Sequence, residues 1–239
     1  MAVIIGSARV DEKGQYTGGK AGDQKQQSAT NDMNGEVSMQ KFYLHKKGWH
    51  ILRAKDISHR AKLAKAMKTA CNNSNIGYSQ SERLGAVKQG IHTSTPTNAD
   101  CSALVRACIK DACGKDVGNF HTGNEASVLE NSGLFETRKR YISQSATPLL
   151  TGDILVTCSK GHTVIVIEGQ NVKPVTFYPK YSGSSLSIVQ ALKEVGEKDW
   201  SLTHRKKIAE ANGIKNYKGT APQNLEMLTL IKDGKLKKA

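Results

Sequence analysis

No apolar run in this chain of 239 residues approaches the ~18 residues that a bilayer-spanning helix needs, so no membrane insertion is expected. Its first stretch, MAVIIGSARVDEKG, has no basic segment and too short an apolar core for a secretory signal. Synthesis in a cytoplasm is therefore expected, with another exit route for any work outside the cell. The five cysteines, Cys71, Cys101, Cys108, Cys113 and Cys158, are odd in number and make no CxxC pair. That pattern argues against a disulfide framework or a zinc knuckle. There is no HExxH and no His/Asp/Cys cluster at ligand spacing, so no metal and no cofactor is expected. Aromatic residues make up only 5% of the chain, and nothing resembles a stacking platform for single-stranded nucleic acid.

Acidic residues are in the minority: 35 Lys and Arg stand against 21 Asp and Glu, a net charge of +14. Such an excess favours a polyanionic partner such as nucleic acid, anionic lipid or a teichoic-acid-bearing cell wall, without choosing among them.

The run AVIIGSARV reads as a buried strand, and the Gly-, Gln- and Asn-rich segment TGGKAGDQKQQSATNDMNGE as a long mobile loop. Two alternating segments around Lys46–Gly48 suggest a hairpin. From Asp56 the period changes. Leu63, Met67, Ala70 and Cys71 share one helical face, with Asp56 or Ser58 as cap and Asn72–Asn73 as stop. A second helix is expected from Cys101 to Gly114, with Leu104, Val105, Cys108, Ile109 and Ala112 as its apolar stripe. Thr122 and Glu125 have capping-box spacing ahead of a third. The runs GDILVTC and HTVIVIEG then read as two strands joined by the tight turn SKG. Helices followed by a strand meander imply an α+β domain with helices packed on an antiparallel sheet. Composition shifts at YPKYSGSS, residues 178–185, which reads as a linker. Beyond it lie three short helical patterns, with Thr220 and Gln223 at capping-box spacing and Gly196, Gly213 and Gly234 as stops. Residues 184–239 carry eleven Lys/Arg and six Asp/Glu, a surplus of +5. The expected organisation is therefore a domain over 1–177, a linker over 178–185 and an all-α three-helix module over 186–239.

One short stretch, TNADCSALVRAC, sets an acid, a cysteine and a serine directly before an apolar helix pattern. A cysteine attacks carbonyls as its thiolate, and a helix N-terminus favours that anion through unsatisfied N–H groups and the helix dipole. Asn98 and Asp100 are natural caps that would put Cys101 in the first turn, where a neighbouring backbone amide could hold an oxyanion. Among seven histidines, His162 stands apart because it opens a strand after a glycine turn. A buried core thiol and a surface histidine remain the plain alternatives.

DCSALV around Cys101, then LLTGDILV, then GHTVIVIEG around His162 together resemble the three signature blocks of the NlpC-type cell-wall peptidases, which are papain-like cysteine enzymes. The resemblance covers about residues 75–170, with Ala103 in place of the usual glycine and Thr151 in place of the usual proline. It implies Cys101 as nucleophile and His162 as general base and acid. It also implies a third polar residue on the next strand, where Lys173 and Pro174 do not serve, Asn171 is the nearest suitable group and Glu168 is another. Tyr78 is similar to the tyrosine that stands near the oxyanion site in that family. The whole chain also resembles endolysins of phages that infect Gram-positive bacteria, with a small wall-anchoring module at its end.

These resemblances imply a papain-like catalytic domain over 1–177 that hydrolyses an amide of peptidoglycan, made in the host cytoplasm and released through a holin-type pore. The expected bond is the one after D-glutamate in the stem peptide; an N-acetylmuramoyl-L-alanine amidase using the same two residues is the alternative. Teichoic acids are expected partners of the basic surface and of residues 186–239. Rival classes are a basic nucleic-acid-binding protein, with RKKIAEANGI as a recognition-like helix, and a non-catalytic wall-binding protein.

Overall fold

The computed structural model describes residues 2–24, 35–170 and 176–239. The chain divides into two compact units, residues 1–172 and 173–239. No helix among the described residues is long and apolar enough to cross a membrane.

In the first unit six strands form an antiparallel sheet: β1 (Ile4–Ala8), β2 (Val37–Lys41), β3 (Trp49–Leu52), β6 (Lys139–Arg140), β7 (Ile154–Thr157) and β8 (Thr163–Glu168). They lie in the order β2-β1-β8-β7-β3-β6. Side chains alternate across a pleated strand, so β8 sends Val164 and Val166 to one face and Ile165 and Ile167 to the other. Both faces are covered, which is why β7 and β8 read as unbroken apolar runs. On one face α1 (Ile57–Cys71) and α3 (Cys101–Cys113) pack through Leu63, Met67, Leu104 and Cys108. On the other a smaller core forms around Ile5, Trp49, Leu155, Val164 and Val166. A separate pair of parallel strands, β4 (Ile76–Tyr78) and β5 (Thr97–Ala99), leads straight into α3. The short helices α2 (Gly85–Gln89) and α4 (Glu125–Asn131) complete this unit.

The helix boundaries follow their capping chemistry. Asp56 caps α1 by accepting the Ser58 N–H at 2.8 Å, and Asn72 ends it. Gly114 closes α3 in the left-handed region, with φ 65°. The hairpin expected around Lys46–Gly48 does not form. The Gly48 N–H does bond the His45 carbonyl, so the chain turns there, but β2 pairs with β1 while β3 pairs with β7 and β6. Residues 42–48 instead cross the sheet. Three strands lie between β2 and β3, a span of about 19 Å at ~4.8 Å per strand. Seven extended residues reach about 23 Å, enough for the crossing. Phe42 and Tyr43 pack beneath it, and the Tyr43 carbonyl takes the indole N–H of Trp49 at 2.9 Å.

Arg53, just past β3, forks onto Asp153 at 2.8 and 2.7 Å and reaches the Pro148 carbonyl at 3.0 Å. Asp153 is fully buried and also accepts the Leu150 N–H, so this pair fixes the turn that launches β7. The mobile-loop expectation falls in part on residues 25–34, outside the described residues. The described flank is held by Asp11, whose carboxylate accepts the N–H groups of Lys13, Gln15 and Gly18.

The second unit contains α5 (Ile188–Glu194), α6 (Leu202–Ala211) and α7 (Ala221–Lys232), and an antiparallel bridge joins Phe177 to Lys237. Ile188, Leu192, Ile208, Met227 and Ile231 make its core. Tyr178 and Tyr181 are buried in that same core, so the segment 178–185 is built into this unit instead of bridging as a free linker. Polar Ser, Gly and Lys neighbours disguise those two tyrosines in the sequence.

Gly152, ahead of β7, has φ +86° and lies where an added Cβ would collide with the Arg60 backbone of α1. Gly114 shares the left-handed conformation but faces open space. Gly114→Ala should therefore cost about 1 kcal/mol, whereas Gly152→Ala should cost about 3 kcal/mol or more in urea unfolding of the first unit. Equal costs would mean that α1 and the β7 turn do not approach so closely.

Candidate functional site

β5 delivers the chain to Asp100, whose carboxylate caps α3. Its Oδ1 accepts the Ala103 N–H at 2.6 Å and the Ser102 hydroxyl at 2.9 Å. Its Oδ2 accepts the Arg83 Nε–H at 2.6 Å. The Arg83 guanidinium also donates to Ser102 Oγ, Asn119 Oδ1 and the Phe120 carbonyl, tying the segment before α4 to the start of α3. Cys101 is thus the first residue of α3, 8% exposed, and its sulfur meets the backbone N–H groups of Ser102 and Thr163. Tyr78 lies beside Ala99 in the parallel β4–β5 pair, so a long gap in sequence becomes closeness in space. Its hydroxyl accepts a hydrogen bond from Gln80 at 3.1 Å.

His162 comes immediately before β8. The Thr157 hydroxyl accepts the His162 N–H at 3.0 Å, and the His162 carbonyl accepts the Thr157 N–H at 3.0 Å, so the β7–β8 turn fixes its backbone. The next residue is Thr163, whose amide reaches the Cys101 sulfur. On the ring, Nε2 is hydrogen-bonded to Ser7 Oγ at 3.2 Å. Cys101, His162 and Tyr78 all line one cleft of about 1510 Å³. Arg9, Lys41, Lys46, Lys47, Arg83 and Lys160 also line it, and among the described residues Asp100 is its one carboxylate.

Burial, helped by His45 and Arg9, pulls His162 down to about 4, so its ring is neutral near pH 7. Burial first, and then the Asp100 and Glu125 carboxylates, push the Cys101 thiol well above its usual range. Both shifts favour a neutral thiol and a neutral imidazole over an ion pair. Glu125 is fully buried, and its Oε1 accepts the Thr163 hydroxyl at 2.7 Å. Burial raises it to about 8, against the pull of the Thr163 bond, so it holds its proton at neutral pH.

Of the residues singled out in sequence, Cys101, His162 and Tyr78 share the cleft. Asn171 lies outside the described residues. Glu168 is exposed at the far end of β8, about 17 Å from its start at ~3.3 Å per residue. Among the described residues the strands beside β8 are β7 and β1, and neither follows β8 in the chain. The Thr122–Glu125 capping box does not form: α4 starts after Asn124, Thr122 Oγ1 accepts the Gly161 N–H, and Glu125 turns inward to Thr163. Ser7, Arg83 and Glu125 were not singled out as site residues. Ser7 alone left a trace, as a polar residue inside a strand that is otherwise apolar. Among the described residues, no group of three or more His, Cys, Asp or Glu side chains is arranged to hold a metal.

Glu125 holds a proton in the fold that the unfolded chain loses at ordinary carboxylate pH. Its stabilisation is present below about pH 4.5 and is lost as pH rises through about 8. Glu125→Gln should match the wild type near pH 5 and exceed it by a few kcal/mol near pH 9 in urea unfolding. The difference cancels the contribution of His162, which runs in the opposite direction. A gap that does not change with pH would show that Glu125 is ionised in the folded protein.

Residues 5–173 match the family described as endolysin-like domain. Nothing matches among curated proteins or among solved structures. The match spans well over half of the chain, and the chain belongs to the endolysin-like domain family.

Proposed function

We propose that the protein is a peptidoglycan hydrolase of phage lysis that uses Cys101 as nucleophile and His162 as general base and acid. The observation that carries this reading is a cysteine at a helix start whose sulfur meets the amide next to a histidine, in an open cleft of an endolysin-like domain. Because the thiol and imidazole rest neutral, the proton leaves Cys101 for His162 as the sulfur attacks the amide carbonyl. The backbone N–H groups at the start of α3 that Asp100 does not take, with the Tyr78 hydroxyl nearby, suit the oxyanion. Collapse breaks the C–N bond, and His162 returns the proton to the departing amine. Water, deprotonated by His162, then resolves the thioester. The cationic lining suits a substrate that carries carboxylates, as stem peptides do. The stem-peptide bond after D-glutamate is the proposed target, with an NlpC-type architecture for the first unit. Residues 186–239, with their basic surplus, are proposed to hold the wall through anionic polymers such as teichoic acids.

Digestion of purified cell wall tests this. Wild type should clear the suspension, and Cys101→Ser or His162→Ala should lower the rate by at least about 10³-fold. New diamino-acid amino termini in the products identify the endopeptidase, and free L-alanine termini the amidase. The acid limb of kcat/KM should fall near pH 4, the value to which the partly buried ring is lowered, instead of the usual histidine range. Undiminished clearing by Cys101→Ser would end the cysteine mechanism.

A further inference from the structure

We infer that Ser7 is the positioning residue that holds the His162 ring for proton exchange with Cys101, an inference that rests on the hydrolase reading above. A base that must deliver its proton along one direction needs its second nitrogen tied. β8 has two flanking strands, β7 and β1. On β7 the Thr157 hydroxyl is committed to the backbone N–H and carbonyl of His162, so it grips the main chain and not the ring. On β1 the Ser7 hydroxyl meets Nε2 at 3.2 Å. Ser7 is 1% exposed, and no other hydrogen bond to its Oγ is found among the described residues. A buried hydroxyl without a partner is costly, so the ring and the serine each satisfy the other.

Ser7 is also fixed in place. Its backbone pairs with Ser38 of β2, and its own N–H meets the Cys71 sulfur of α1. With Nε2 taken up, Nδ1 is the nitrogen left for the thiol. If Ser7 accepts Nε2–H, Nδ1 is unprotonated and able to act as a base. Among the described residues, the charged groups that act on the ring are Arg9 beyond β1 and His45 ahead of β3, while Cys101 on α3 lines the same cleft. A hydroxyl orients the ring without contributing the negative charge that a carboxylate would bring, in keeping with a ring that stays neutral at low pH.

The test combines ¹⁵N imidazole NMR of His162, assigned with His162→Gln, and wall-digestion kinetics of Ser7→Ala. In the wild type His162 should carry its proton on Nε2. Ser7→Ala should perturb that nitrogen, lower kcat about tenfold and leave KM unchanged, the scale of one hydrogen bond. A wild-type ring protonated on Nδ1 overturns the proposal whether or not the variant folds. So does a Ser7→Ala protein with unchanged kcat, or one whose kcat falls while its Nε2 signal stays put. A wild type that clears no wall but shows the Ser7-dependent Nε2 signal would sink the hydrolase reading and leave the ring contact standing.

Discussion

The Asp100 carboxylate is the point on which the cleft is assembled. With Oδ1 it caps α3, and with Oδ2 it holds Arg83, which reaches on to Ser102, Asn119 and Phe120. A cap alone would fix the register of α3 and leave the neighbouring loop loose. The Arg83 fork joins the two, so the residue that starts the helix also sets the wall of the cleft opposite it. Cys101 has no freedom left in its backbone: it follows a bonded cap, begins a helix and lies against β8.

That anchoring has an electrostatic cost. Burial most of all, and then the Asp100 carboxylate, disfavour a negative sulfur, and Glu125 adds to this once it ionises. The Ser102 and Thr163 amides act in the other direction. The outcome is a thiol that keeps its proton until an acceptor takes it. In the proposed mechanism His162 is that acceptor, and its low pKa keeps the ring neutral beforehand. A preformed thiolate would react with many electrophiles. In the proposed mechanism the neutral pair would ionise only as charge moves onto a substrate bound in reach of the helix amides, which would favour attack on a positioned carbonyl.

What could be read from the sequence was local. Asp56, Asp100 and Gly114 announce helix ends through short-range capping, and α1 and α3 lie where their periodicity puts them. The β7–β8 pair follows from two β-branched runs and a tight turn. Strand order is a different kind of fact. Residues 37–52 carry a hairpin pattern, yet β1, β8 and β7 come between their two halves. Nothing within sixteen residues records that insertion, since it is decided by strands more than a hundred positions apart. The same non-local pairing places Ser7 beside His162 and leaves Glu168 at the wrong end of its own strand. Glu125 misled for a related reason: its spacing from Thr122 suits a cap, but the deep contact with Thr163 offers a buried partner that the sequence does not reveal.

Glu125 also links the core to the chemistry. It shares Thr163 with Cys101, the proposed nucleophile: the hydroxyl of Thr163 donates to the carboxyl, and its amide meets the sulfur. While Glu125 is protonated, it is a neutral wall behind Cys101 and opposes thiolate formation little. Once it ionises, near pH 8, a second anion close to the sulfur raises the cost of taking the thiol proton. Glu125 is fully buried, so its charge acts on Cys101 through the protein interior, and the thiol is easier to ionise when this neighbour is not.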